Sequence, residues 1–64
     1  MNTLNFVETL ALRLAREHGH RADSYELSVK ALDLAEWHDV PHGEWLRFVR
    51  TFCAACNEIW STES

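Results

Sequence analysis

Residues 23 to 41 read DSYELSVKALDLAEWHDVP, and both ends of this stretch are punctuated. Asp23 and Glu26 have capping-box spacing, with Asp in place of the usual Ser or Thr, so each side chain can satisfy an orphan amide of the other. Ala22 and Leu27 sit where a hydrophobic staple would close that start. Pro41 ends the segment, because it lacks an amide proton and disfavours helical geometry at Val40. Between these marks Leu27, Ala31, Leu32, Leu34 and Ala35 recur at helical rather than alternating spacing. The stretch predicts a helix over residues 24–39 that buries those five positions.

The flanking segments follow the same period. On the N-terminal side Leu4, Val7, Ala11 and Leu14 form one stripe, widened by Phe6 and Leu10, with Leu12 left outside it. Asn2, Thr3 or Asn5 can cap its start, and Gly19 after His18 suits a left-handed stop, giving a helix over 3–18. On the C-terminal side Pro41 fits the first helical position and Glu44 the favourable first turn. A broad apolar arc then holds Trp45, Phe48, Val49, Phe52, Cys53, Ala55, Cys56, Ile59 and Trp60, predicting a helix over 42–60 and a frayed tail at 61–64. No stretch alternates with period two. The expectation is one all-α domain over 1–64, a small three-helix bundle.

A chain of 64 residues has a marginal core, because a domain of this size buries only about 60% of the surface its unfolded form exposes. Helices 1 and 3 carry apolar arcs of about 180°, wider than the little over 100° that a lone bundle uses. That surplus predicts a homodimer, with Leu10, Leu14, Trp45, Val49, Phe52, Cys56 and Ile59 as core or dimer positions. The N-terminus lacks a basic n-region, its apolar positions are interrupted by Asn5, Glu8 and Thr9, and no apolar run is long enough to span a bilayer. Cys53 and Cys56 are too few for a secreted disulfide scaffold. The expected compartment is the cytoplasm.

Six Lys and Arg against ten Asp and Glu give a net charge of −4, which discourages general affinity for nucleic acid or anionic membrane. The excess is localised. Within 24–39, Glu26, Asp33, Glu36 and Asp39 face Lys30 alone, a net of −3. On that helix Glu26, Lys30, Asp33 and Trp37 lie opposite the apolar face, with Val29 and Glu36 close by. A Trp among charges suits a protein-binding anchor, since large aromatics dominate interface hot spots. It also suits a cover over a neighbouring helix, or a dimer contact. The candidate partner-binding set is Glu26, Asp33, Glu36 and Trp37.

Three constellations bear on chemistry. Cys53-Ala-Ala-Cys56 puts two thiols on one helical face, but a thioredoxin-like pair belongs at a helix N-terminus near a βαβ unit. Mid-helix, among Phe52, Ala55 and Ile59, the two read as small buried hydrophobes. His18, His20, His38 and His42 add nitrogen donors for zinc, yet Pro41 breaks the helix between His38 and His42 and no second Cys pair completes a finger, so no metal is expected. Leu34 to Arg50 has helix-turn-helix spacing, with Asp39 in place of the turn glycine and His42, Arg47 and Arg50 placed to meet a groove or phosphates. Against that, the preceding helix is acidic, Glu44 sits near the groove end, and an ordinary helix–Pro–helix corner has the same hydrophobic spacing.

Catalysis finds no motif. Gly19 and Gly43 cannot make a phosphate loop, and no nucleophile–base arrangement is marked. The sequence therefore favours a non-catalytic protein-binding regulator, adaptor or inhibitor without a cofactor, docking on a larger protein with a basic surface. Presenting carboxylates where phosphates would lie, in a nucleic-acid-binding groove, is one form of this. The alternative is a small helix-turn-helix transcriptional regulator.

Overall fold

The Asp23 Oδ1 accepts the amide proton of Glu26 at 2.9 Å, and a helix follows from Ser24 to Trp37. A computed structural model describes residues 3–61 of the chain, with side chains for 6–60. It contains three α-helices: α1 over Thr3–His18, α2 over Ser24–Trp37 and α3 over Trp45–Ser61. A 3₁₀ turn, His42–Glu44, leads into α3. The architecture is all-helical, as the spacing predicts. The proposed caps Asn2, Thr3 and Asn5 and the tail beyond Ser61 lie outside the described side chains, and Ser61 itself is helical.

The end of α2 is a complete Schellman motif, two residues before the expected stop at residue 39. Asp39 takes φ 58°, its amide donates to Glu36 O at 3.2 Å, and the Val40 amide donates to Ala35 O at 2.9 Å. Left-handed geometry at the residue after the cap is what these two bonds require. Asp is among the few non-glycine residues that tolerate it. Val40 then folds back into the core as the motif's hydrophobic contact.

Pro41 lies one place earlier than expected. It caps the 3₁₀ turn from outside, with φ −56° and ψ 137°, and its carbonyl accepts the Glu44 amide at 2.8 Å. The α-helix proper begins three residues later than the apolar pattern indicates, because the tight turn absorbs His42 to Glu44. Trp45 locks this corner: its indole Nε1 donates to Val40 O at 2.6 Å. His42 lies on the same ring, with centroids 4.6 Å apart.

Gly19 also departs from expectation. No glycine has a positive φ; the Gly19 amide continues the α1 ladder to Ala15 O at 3.0 Å. Its lack of a side chain serves close approach instead. A Cβ there would collide with the Ala15 carbonyl oxygen and with Cys56 Sγ.

These contacts fix the topology. Glu8 reaches Arg47 at 3.8 Å and Gly19 lies against Cys56, so α1 and α3 run parallel. Ser28 Oγ lies 3.8 Å from Cys53 Sγ while Val40 meets Trp45, so α2 runs antiparallel to α3. The third helix packs extensively on both others, which have no comparable contact with each other. Its wide apolar arc is thereby used within one chain. Trp45, Val49, Cys53, Ile59 and Trp60 at the edges of that arc stay half-buried.

The core combines large and small side chains. Phe48, Phe52 and Cys56 of α3 are buried with Val7, Ala11, Leu14 and Ala15 of α1 and with Leu27, Ala31 and Ala35 of α2. Alanines on the flanking helices leave room for two phenylalanines on the central one, the alternation that fills a core without voids. Leu10, Trp45, Val49 and Ile59 pack half-buried around it. Leu12 is exposed, as expected, but so are Phe6 and Leu32. Spacing puts both on the inward arcs, and the structure sets them at the exposed edges of those arcs.

Candidate functional site

The face of α2 turned from the core carries more apolar surface than its charges suggest. Tyr25 is 77% exposed, Val29 50% and Leu32 42%. Spacings of four and three residues put them on one stripe along the helix. Together with Trp45 from the corner and His20 from the α1–α2 loop they line an open groove. Glu26, Asp33 and Glu36 border the same groove, as does Lys30. Of the four residues singled out as partner-binding, three thus gather on its rim.

Trp37, the fourth, is 81% exposed and belongs to a neighbouring depression with Leu34 and His38, which Asp33 and Glu36 also border. The two carboxylates therefore stand on a ridge between an apolar groove and the tryptophan. The rim is weakly tied: Glu26 Oε2 stands 4.0 Å from His20 Nε2. Exposed pairs at such separations constrain side chains little.

Sequence reading missed Tyr25 and misplaced Leu32. The signal was present, since Tyr25, Val29, Leu32 and Glu36 follow a 4-3-4 repeat. It was masked by the adjacent run of Ala31, Leu32, Leu34 and Ala35, which reads as one broad inward arc.

The candidate nucleic-acid face divides differently. His42 is held against Trp45, while Arg47 and Arg50 lie on the outer side of α3 beside Leu46, which is 69% exposed. Arg47 is bracketed by carboxylates, with Nε 3.3 Å from Glu44 Oε1 and Nη1 3.8 Å from Glu8 Oε2. A guanidinium between two carboxylates presents little net charge to a phosphate. Arg50 is exposed on the same side.

The two thiols are free. Cys56 is buried, and burial pushes its pKa up, assisted by neighbouring Cys53 and opposed by the His20 amide. That is the reverse of the shift that activates a nucleophilic thiol. Among the described residues no group of three or more His, Cys, Asp and Glu side chains is arranged to hold a metal ion. Nor is any helix there long and apolar enough to cross a membrane.

No family model, curated protein or solved structure matches this chain.

Proposed function

We propose that this chain is a non-catalytic binding protein, a small regulator, adaptor or inhibitor, that docks on a larger protein through the outward face of α2. One observation carries the reading: Tyr25, Val29 and Leu32 form a continuous exposed apolar stripe edged by Glu26, Asp33 and Glu36. Isolated surface hydrophobes need no explanation, but an aligned set with a charged rim has the anatomy of an interface, an apolar centre within a polar border. Trp37 extends the contact across the ridge as a second anchor. The carboxylates orient the encounter toward a basic surface and speed association at low salt.

The test is comparative capture from cells that express the protein. Asp33→Lys with Glu36→Lys, and separately Trp37→Ala, alter only exposed side chains and leave the helical circular dichroism intact. Loss of the captured partner in these variants, with retention in Leu46→Ala on the far side of α3, supports the reading. Equal capture by all variants removes this face from consideration.

The expected homodimer, through the apolar arcs of α1 and α3, uses a different surface. Self-association through the α2 face is the competing use of this one, and sedimentation equilibrium of the wild type and of the α2 variants separates the three. The transcriptional-regulator reading draws on Arg47 and Arg50. It is disfavoured by the carboxylates around Arg47, and a flat titration of a labelled duplex at low salt would retire it.

A further inference from the structure

The spacing of the exposed α2 stripe says what kind of surface fits it. Tyr25, Val29, Leu32 and Glu36 fall at d, a, d and a of a heptad, so the face is a helix-pairing seam about 16 Å long. Resting on the docking role just described, we infer that its occupant is a basic amphipathic helix of another protein. That helix lies along α2 in the groove bounded by Trp45.

Charge decides between a foreign helix and a second copy of this chain. Glu26 and Asp33 both occupy e positions, and the corresponding g positions are Ser28 and Ala35, turned in toward α3 and respectively half-buried and buried. An antiparallel pairing of two copies sets e against e, bringing Glu26 of one chain to Asp33 of the other, carboxylate to carboxylate. A parallel pairing sets e against g, where neither Ser28 nor Ala35 supplies a countercharge, and stacks Glu36 on Glu36 in the seam. Both arrangements are penalised. A partner with Leu-like residues in its seam and Lys or Arg beside them meets Glu26, Asp33 and Glu36 with opposite charge throughout. The acid at the Glu36 seam position also fixes register, since a polar group there demands a matching basic residue.

The helix-in-groove mode further requires one apolar wall that the partner does not supply. Trp45 forms it, held by its bond to Val40 O. Lys30, the one cation of α2, occupies a b position and borders the same groove beside Glu26 and Asp33, which leaves three carboxylates against one cation and the flank still acidic.

The probe is a synthetic helix about three heptads long, with Leu at a and d and Lys at e and g. A matched peptide carries Glu at e and g. Binding to the intact protein is followed by anisotropy of the labelled peptide and by amide shifts in two-dimensional NMR. Saturable binding of the Lys peptide, with shifts centred on Tyr25, Val29 and Leu32 and none with the Glu peptide, is the expected result. Val29→Asp, at an exposed position that folding does not need, weakens it by about tenfold or more. Asp33→Lys with Glu36→Lys reverses the preference between the two peptides.

Three results overturn the inference: no saturation by about 1 mM peptide, shifts centred on Leu46 or Trp37, or a dimer of the protein alone that Val29→Asp dissociates. The first leaves the docking role standing if the charge variants still lose their captured partner from cells. If capture is untouched by those variants and by Val29→Asp, the docking role itself fails.

Discussion

The Trp45 indole donates to the carbonyl oxygen of Val40 at 2.6 Å, bridging the end of α2 to the start of α3 across Pro41. Pro41 supplies no amide, and the bond replaces part of what the chain loses at that corner. It also fixes the orientation of the ring that walls the α2 groove. Local folding and the candidate site thus share one side chain.

Trp45→Phe removes the donor and keeps an aromatic ring. Val40 is buried, so its carbonyl loses its side-chain partner where water reaches poorly, a cost of about 1–3 kcal/mol. Urea denaturation checks this, and a domain of this size loses about 4–8 °C in Tm for each kcal/mol. A change within about 0.5 kcal/mol would show that water takes the indole's place. The variant should also weaken binding along α2 beyond its effect on stability.

Gly19 and Gly43 separate two reasons for conserving space on the backbone. Neither has a positive φ, so alanine strains neither backbone. At Gly19 the new methyl meets the Ala15 carbonyl and Cys56 Sγ, whereas at Gly43 it meets nothing. Gly19→Ala should cost about 1–3 kcal/mol by forcing α1 and α3 apart. Gly43→Ala should be neutral or stabilise by up to about 1 kcal/mol, since it restricts the unfolded chain. Paired thermal melts decide, and equal effects at the two sites would refute the packing explanation.

Asp39 is held at φ 58°, where a Cβ is crowded. Asp39→Gly relieves that crowding but adds unfolded-state entropy, for a net stabilisation of a few tenths to about 1 kcal/mol. Asp39→Val, branched at Cβ, should cost about 1–2 kcal/mol. Chemical denaturation of both variants tests the sign. A destabilised Asp39→Gly would mean that the carboxylate, and not only the backbone, supports the turn.

How far the fold was legible depends on whether local chemistry or tertiary packing set each feature. The start of α2 was readable because Asp23 and Glu26 carry the instruction within four residues, and Asp39 was recognisable as the turn residue standing where glycine is usual. The role of Gly19 was not, because its constraint is Cys56, 37 residues away in sequence. The central position of α3 was equally hidden. A wide arc on one helix indicates two neighbours, but it cannot say whether both come from the same chain. At the candidate site the carboxylates were legible from charge alone. The apolar stripe was not, since assigning Leu32 outward requires knowing where α3 crosses α2.

The two cysteines provide the last test, because they share a helix face but not an environment. Cys53 is half-buried near Ser28 Oγ at 3.8 Å, whereas Cys56 is buried against Gly19 in the α1–α2 connection, and desolvation, then Cys53, raise its pKa. In native protein at mildly alkaline pH iodoacetamide should modify Cys53 well ahead of Cys56, with both reacting at similar rates in denaturant. Mass spectrometry of timed digests reads the order. The same shift has a consequence for stability. The folded state holds the Cys56 proton more tightly than the unfolded state, so its contribution is complete below the ordinary thiol pKa. It declines as pH rises through the unfolded and toward the folded value. Cys56→Ala should flatten that alkaline decline while costing stability at neutral pH through the lost sulfur contacts. An alkaline limb unchanged in Cys56→Ala would assign the decline to other groups and remove Cys56 as its cause.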